Sequence, residues 1–327
     1  MRMSTAALIA SLVLLASGCG STDDPTSPTG EATEATPAGT ITVDHALGTL
    51  ELDEVPERVV ALELVYAEDL VALGVDPVGV ADVESYRQFV GDPELPPGVT
   101  DVGTRQEPSL EAIASLEPDL IIGPQFRHEP IYDQLSAIAP TLLFDPYPEG
   151  SGAIGQLEEM EQTFRQIATA VGASERAEAV LADMEEAFDE AGSRLVEAGL
   201  ATQEFVVAQG FTAQEVPTLR VFTDNAMAVG ILEEIGLENA WGGEPDRFGF
   251  NTVDLEALTA AEQANLLYSV QAGDDIVAES FAGNPLWQDL AFVQEDRAYP
   301  LGAETWLFGG PVSAEKLVEV VADVLTA

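Results

Sequence analysis

The chain has 327 residues, and its 58 acidic side chains outnumber 12 Lys and Arg, giving a formal net charge of −46 at pH 7. This length allows two domains of ordinary size with a substantial core. Nucleic acid and anionic lipid surfaces are poor partners for so acidic a protein, because like charges repel. The single cysteine, Cys19, allows neither an intrachain disulfide nor a metal site of several thiolates. We interpret the acidic excess as adaptation to a saline habitat.

The start of the chain predicts export. An apolar run over residues 6–16 follows the initial Met-Arg-Met and is too short to span a bilayer, so we predict a signal peptide over residues 1–18. The run ends in Leu15-Ala16-Ser17-Gly18-Cys19, which resembles a bacterial lipobox and makes Cys19 the expected lipid attachment site at the outer face of the cytoplasmic membrane. The rest of residues 19–40 is rich in Ser, Thr, Pro and acidic residues and predicts a flexible tether. A lone cysteine within an ordinary signal peptide is the alternative.

Short apolar strands alternate with helices from residue 41 onward. Residues 41–52 predict an edge hairpin around Leu47-Gly48. A loop is predicted through Tyr86-Arg87 and Pro93 to Gly98. Such alternation is typical of parallel βαβ units, so residues 41–150 are predicted to form an N-terminal α/β lobe. Its buried strands are predicted at 58–62, 78–80, 100–102, 120–122 and 141–144, and its helices at 66–73, from Ser109 and at 131–138.

A long helical stretch separates this lobe from a second one. Residues 154–197 carry apolar residues at helical spacing and are interrupted only near Gly172, so we assign residues 151–199 to a bridging helix. A C-terminal α/β lobe is predicted over residues 200–327, from strands at 205–208, 219–222 and 266–268 and helices from Asn225 and Pro311. The predicted fold is therefore α/β, with two Rossmann-like lobes of mainly parallel sheet joined by one long interlobe helix.

An internal near-repeat supports two related halves. Leu110-Glu111-Ala112-Ile113 aligns with Leu255-Glu256-Ala257-Leu258 at an offset of 145 residues, and an apolar strand follows each copy. Ser109 and Asp254 precede the two copies, where an oxygen side chain can accept from the first free amides of a helix. Chance similarity between two helix-strand units of one type is the alternative interpretation.

Arginines and aromatic residues recur in the loops where open α/β sheets bind ligands, beyond the carboxyl ends of their strands. Guanidinium groups bind oxygen anions bidentately, and aromatic rings pack against apolar ligand frames, so we expect an anionic, partly aromatic ligand. A salt bridge to a nearby acid is the competing interpretation for any one arginine. For a tryptophan the competing interpretation is packing in the core, although we expect Trp241 and Trp306 to be exposed. The candidate ligand-binding residues are Tyr66, Arg87, Arg105, Phe126, Arg127, Arg220, Trp241, Arg247 and Trp306.

Three segments of the chain carry a family resemblance: Pro56 to Leu62, Gly103 to Ile122, and Asn284 to Ala314. They resemble the periplasmic-binding proteins for iron-siderophores, ferric citrate, haem and cobalamin. The stretch Glu107-Pro108-Ser109-Leu110-Glu111-Ala112-Ile113 is specific to that superfamily, whereas the identity of the ligand is poorly encoded. The resemblance implies two lobes that are bridged by one long helix and hold the ligand in a shallow cleft.

The resemblance also implies roles for individual residues. Arg105 matches an arginine that grips the iron-bound oxygens of hydroxamate chelates, and Trp241 and Trp306 match aromatics of the cleft. Phe126-Arg127 stands where hydroxamate binders carry a tyrosine, which leaves the ligand class open.

By the same resemblance, Glu111 and Glu256 match a pair of acidic residues, one per lobe, that dock onto arginines of a membrane permease. The alternative is that each carboxylate is simply favourable in the first turn of its helix. The expected partners are therefore a small iron chelate, an ABC permease with its ATPase, and the membrane through the lipid anchor only. A monomer is expected.

The sequence thus predicts the solute-binding receptor of an ABC importer, which captures an anionic ferric-siderophore-type chelate and needs no cofactor or resident metal. Haem and cobalamin are alternative ligands, although the candidate arginines favour an anionic chelate over neutral cobalamin. An exported hydrolase is an alternative of another class, but the chain has only two histidines, His45 and His128, and no GxSxG or HExxH motif. A receptor for bare zinc or manganese would require several imidazoles in the cleft.

Overall fold

The computed structural model describes residues 40–150, 154–271 and 273–327. The predicted signal peptide, Cys19 and nearly all of the tether lie outside the described residues, so those assignments stay predictions. No helix in the described ranges is long and apolar enough to cross a membrane.

The first lobe contains the strands β1 (Ile41–His45), β2 (Gly48–Leu52), β3 (Val59–Ala61), β4 (Gly79–Val80), β5 (Thr100–Asp101), β6 (Leu120–Pro124) and β7 (Thr141–Phe144). Strands β1 and β2 form the predicted antiparallel hairpin. Strands β3 to β7 form one parallel sheet in the order β5-β4-β3-β6-β7. Every position of β6 is buried, which is typical of a parallel strand covered on both faces.

The helices of this lobe are α1 (Leu64–Ala72), α2 (Val83–Phe89), α3 (Leu110–Ser115), α4 (Gln125–His128) and α5 (Tyr132–Ser136), with a 3-10 turn at Glu129–Ile131. Helix α1 ends before Gly74, whose φ of +80° is a left-handed conformation that glycine adopts without steric cost. Ser109 caps α3 by accepting a hydrogen bond from Ala112 N. The predicted loop through Tyr86-Arg87 is wrong: these residues lie in α2, where Val83 and Tyr86 are buried against the core.

The stretch between the lobes forms two helices, α6 (Gln156–Ala170) and α7 (Ser174–Glu197). The break falls at Gly172, with φ of +69°, where the sequence predicts it. Helix α6 packs against β1 and α1 of the first lobe and against the first helix of the second lobe. Helix α7, with 24 residues, is the long helix and packs along the C-terminal helix.

The second lobe contains the strands β8 (Glu204–Ala213), β9 (Val216–Phe222), β10 (Glu238–Asn239), β11 (Phe250–Val253), β12 (Asn265–Val270) and β13 (Ala298–Pro300). They form one sheet in the order β11-β9-β8-β12-β13, with β10 also paired to β8. Strand β9 runs antiparallel to β8 and β11, whereas β8, β10, β12 and β13 pair in parallel. The antiparallel edge arises because β8 and β9 are joined by a tight turn at Gln214 and Glu215, with φ of 49° and 68°.

The helices of the second lobe are α8 (Met227–Glu234), α9 (Pro285–Asp289), α10 (Ala291–Gln294) and α11 (Pro311–Thr326), with a 3-10 helix at Leu255–Ala261 and a π-helical turn at Val277–Phe281. Asp254 caps the 3-10 helix by accepting from Ala257 N, so both copies of the near-repeat begin at a side-chain cap. One apolar core runs through both lobes, from Tyr66 on α1 through Phe164 on α6 to Leu317 on α11.

Candidate ligand-binding cleft

A cavity of about 370 Å³ lies between the two lobes, beyond the carboxyl ends of the parallel strands of the first lobe and beside β9 and β11 of the second. The first lobe contributes Glu63, Val65, Arg105, Gln106, Phe126, Arg127, Pro146 and Tyr147, and the second contributes Arg220, Phe248, Phe250, Trp306 and Phe308. The structure therefore brings together these candidate residues from distant parts of the sequence: Arg105, Phe126, Arg127, Arg220 and Trp306.

Glu63 connects the two arginines of the first lobe. Its Oε1 accepts from Arg105 Nη1 at 2.8 Å and from Leu64 N at 3.0 Å, and its Oε2 accepts from Arg127 Nη1. Asp82 accepts from Arg105 Nε at 3.1 Å and from the Arg105 backbone N at 2.9 Å. Burial lowers the pKa of Arg105, but Glu63 and Asp82 more than offset it, so the net shift is upward. Carboxylates therefore hold both guanidinium groups in place.

Arg220, on β9 of the opposite lobe, has different surroundings. Its Nη1 donates to Gln209 Oε1 at 3.0 Å, and its guanidinium carbon lies 4.7 Å from the centroid of the Phe211 ring and 4.9 Å from that of Phe250. Burial lowers the pKa of Arg220, and the nearby charge of Arg105 contributes to the same shift. No carboxylate in the described part of the chain forms an ion pair with Arg220, so its charge is available to a ligand.

Aromatic rings form the apolar walls of the cavity. Phe126 and Tyr147 from the first lobe and Phe248 from the second contact one another, with centroid distances from 5.2 to 6.0 Å. Trp306 and Phe308 form a second contact, at 5.3 Å between centroids. Burial raises the pKa of Tyr147, so its hydroxyl stays protonated and can donate. Such rings can cover the apolar frame of a ligand and exclude water from its polar groups.

Some of the candidate residues lie outside the cavity wall. The prediction that Trp241 is exposed is wrong: it is only 8% exposed, because its ring packs into the core of the second lobe and its Nε1 donates to Asn251 Oδ1 at 2.8 Å. Tyr66, in the first turn of α1, points into the apolar core and is 1% exposed. Arg87 lies on the outer face of α2, where its exposed side chain is 4.0 Å from Glu84.

Arg247 lies at the rim, next to the cavity residue Phe248. Its Nη2 donates to Asp145 Oδ1 at 3.2 Å, and its Nε lies 3.6 Å from Glu149 Oε2. Both acids follow β7 of the first lobe, so these ion pairs cross between the lobes. Salt bridges to nearby acids, the alternative raised for each arginine, are present at Arg87, Arg105, Arg127 and Arg247.

Several cavity residues were not among the sequence-based candidates. Glu63 lies in the loop after β3, where its position beyond a strand end could have identified it, and Phe248 and Phe308 are close in sequence to the candidates Arg247 and Trp306. Tyr147 also lies beyond the carboxyl end of a strand, β7, but in a segment without an arginine or a recognisable motif.

The periplasmic binding protein family matches residues 59–305, most of the described chain. The chain belongs to this family. It is 30% identical over 271 residues to the iron(3+)-hydroxamate-binding protein FhuD of Escherichia coli (strain K12), with 83% of this chain and 87% of that protein covered. It is 31% identical over 289 residues to the Fe(3+) dicitrate-binding periplasmic protein FecB of the same strain, with 86% and 88% covered. The crystal structure of FhuD from Vibrio cholerae, bound to Fe3+-Desferal, matches with a TM-score of 0.75 and 29% identity over 83% of this chain and 98% of that chain.

This periplasmic binding protein also carries a group of buried acids beside the cleft. A cavity of about 40 Å³ is lined by Asp69 and Glu159, and it shares Tyr147 and Phe308 with the larger one. Burial raises the pKa of Asp69 well above its ordinary value and that of Glu159 to about 7. Burial likewise raises the pKa of the neighbouring Glu68 to about 7. Burial therefore favours the protonated form of each of these three acids.

Glu111 and Glu256 lie on the surface of the periplasmic binding protein. Each is exposed in the first turn of its helix, α3 in the first lobe and the 3-10 helix in the second. The two carboxylates therefore occupy equivalent positions in the two copies of the near-repeat.

Proposed function

We propose that this protein is the solute-binding receptor of an ABC importer and captures a ferric siderophore-type chelate between its lobes. The observation that carries the proposal is the 370 Å³ cavity, in which guanidinium groups and aromatic rings from both lobes converge. Its named relatives bind an iron hydroxamate, ferric dicitrate and Fe3+-Desferal, which supports an iron chelate in preference to haem or cobalamin.

The residues of the cleft suit the chemistry of such a ligand. The oxygens that bind iron in a chelate carry negative charge, and guanidinium donors form strong charge-assisted hydrogen bonds to them. Arg220 offers an unpaired guanidinium from one lobe, while Arg105 and Arg127 are oriented by Glu63 in the other. The aromatic rings would cover the carbon frame of the chelate, which strengthens those hydrogen bonds by excluding water.

Delivery of the chelate requires a membrane permease as partner. The exposed Glu111 and Glu256 support a docking role. A permease with two-fold symmetry would present the same binding surface to each lobe, and the two acids occupy equivalent positions in the two lobes. The family is extracytoplasmic by name, and a lipid on Cys19 would keep the receptor at the outer face of the membrane.

An exported hydrolase is poorly supported. His128, the histidine nearest the cleft in sequence, is buried, and its Nε2 lies 3.0 Å from the carbonyl oxygen of Arg105. Burial lowers its pKa, and it is absent from the cavity wall. The named relatives are binding proteins.

Tryptophan fluorescence provides the test. Fe3+-desferrioxamine, ferric dicitrate, haem and cobalamin would be titrated separately into the wild-type protein and into Trp306→Phe and Trp287→Phe. Trp306 lines the cavity, whereas Trp287 packs against Phe281 and Phe292 in the core of the second lobe. We expect an iron chelate to quench the wild-type protein and Trp287→Phe, and to quench Trp306→Phe less. Saturable binding of haem or cobalamin with no response to either ferric chelate would contradict the proposal.

A further inference from the structure

The positive charges of the cleft are largely balanced by carboxylates of the same chain. Arg105 and Arg127 share Glu63, and Arg105 is also paired with Asp82. Two guanidinium groups therefore face two carboxylates in the first lobe. None of these four side chains is more than 21% exposed, so water screens their interactions only in part.

The rim of the cleft adds no net positive charge. Arg247 is paired there with Asp145 and lies close to Glu149. Arg220 is then the one guanidinium of the cavity wall without a carboxylate partner among the residues that the structure describes. The cleft as a whole is much closer to neutral than its arginines alone suggest.

The negative charge of Glu63 would interact directly with a ligand in the cavity. It lines the cavity, and its two carboxylate oxygens take up donors of Arg105 and Arg127 that an anionic ligand would otherwise use. A polyanion bound here would have to displace Glu63 or lie beside its charge, and like charges repel strongly in a partly buried cleft. A chelate with little negative charge meets no such penalty.

We propose that Glu63 selects the charge of the chelate, so that the cleft favours ferric complexes that are neutral, positive or singly negative over polyanions such as ferric dicitrate. This inference rests on the proposed function and narrows it to a class of ligand. The relatives include both a hydroxamate-binding and a dicitrate-binding protein at nearly equal identity. A repulsive element that rejects one ligand is a common source of such specificity.

The test compares the dissociation constants of Fe3+-desferrioxamine B and ferric dicitrate, measured by calorimetry on the wild-type protein and on three variants. Glu63→Gln removes the charge but keeps an oxygen that can cap α1. Asp82→Asn removes the other charge, and asparagine tolerates the φ of 57° at this position, so it serves if Glu63→Gln folds poorly. Glu84→Gln is the control, because Glu84 is exposed outside the cleft.

We expect the wild-type protein to prefer Fe3+-desferrioxamine B. Glu63→Gln should improve the relative affinity for ferric dicitrate at least about tenfold, Asp82→Asn should act in the same direction, and Glu84→Gln should change nothing. A wild-type preference for ferric dicitrate, or an unchanged ratio in both cleft variants, would overturn the role of Glu63 while leaving the receptor function intact. Failure of every protein to bind either chelate would overturn the receptor function itself, and the role of Glu63 with it.

Discussion

Glu68 on α1 accepts two hydrogen bonds from Ser313 on α11, from the backbone N at 2.8 Å and from Oγ at 2.7 Å. Both residues are buried, and the contact joins the first lobe to the last helix of the second. Burial raises the pKa of Glu68 to about 7, even though the hydrogen bonds from Ser313 favour its ionised form. The packing of α1 against α11 is therefore sensitive to protonation.

Glu68→Gln should change how folding stability depends on pH. The pKa of Glu68 is about 7 in the folded protein, whereas its ordinary value of 4.5 applies to the unfolded chain. Between pH 4.5 and 7 the folded protein therefore binds more protons than the unfolded chain. The resulting stabilisation is complete below about pH 4.5 and is lost as the pH rises through 7, by up to about 3 kcal/mol. Urea denaturation from pH 4.5 to 8 should show a shallower decline for Glu68→Gln than for the wild-type protein. The exposed Glu190→Gln should follow the wild-type curve, and parallel curves for all three would contradict the assignment.

Arg220→Met should weaken chelate binding by about 1.5–3 kcal/mol, the range for hydrogen bonds to charged groups. Methionine keeps the apolar contact with Phe211 and Phe250, and no carboxylate loses its partner. Folding stability should fall by only about 1 kcal/mol, because the buried Gln209 Oε1 loses its donor. Calorimetric titration and thermal denaturation of the same variant measure the two effects, and an unchanged affinity would remove Arg220 from the binding site.

Arg105→Ala should weaken binding to a similar extent but should destabilise the fold more strongly. Its removal leaves Asp82 without its cationic partner and Glu63 with Arg127 only, and breaking a buried ion pair in this way costs about 3 kcal/mol. Denaturation of Arg105→Ala beside Arg220→Met checks the difference. Equal stability of the two variants would show that the carboxylates do not depend on Arg105.

The sequence predicted the parallel strands of the first lobe because each is a short apolar run, of which β6 is the clearest case. It did not predict α2, because only Val83 and Tyr86 of that helix are buried and no longer apolar pattern reveals it. The hairpin of β8 and β9 was hidden for another reason. Its turn is formed by Gln214 and Glu215, which take positive φ without the glycine that usually signals such a turn.

Arg105 and Arg127 could be predicted for the cleft because they follow β5 and β6, and residues beyond the carboxyl ends of the strands in one parallel sheet converge. The role of Glu63 could not, since it depends on arginines 42 and 64 residues away in the sequence. The burial of Trp241 was equally hidden. Glycines follow it in the sequence and suggest exposure, but Asn251 accepts a hydrogen bond from the indole only when the lobe is folded.

Replacing each of two tryptophans in turn should distinguish a residue that contacts the ligand from one that packs only in the core. Trp306→Ala should weaken chelate binding by about 1 kcal/mol through lost ring contact, and it should also lower stability because the ring stacks on Phe89 and packs against the core. Trp241→Phe should leave affinity unchanged and reduce stability by about 1–3 kcal/mol, because Asn251 Oδ1 loses its donor. Titration and denaturation of both variants check this assignment, which a loss of affinity in Trp241→Phe would contradict.

Glu111→Ala and Glu256→Ala should impair transport without impairing capture. Both side chains are exposed and neither is part of the cavity wall, so chelate affinity and stability should match those of the wild-type protein. In proteoliposomes that contain the permease and its ATPase, each variant should stimulate ATP hydrolysis less, and the double variant least, because each acid would contact one half of the permease. Glu107→Ala is the matched control, since Glu107 is exposed just before α3. Full stimulation by the double variant would exclude both acids from docking.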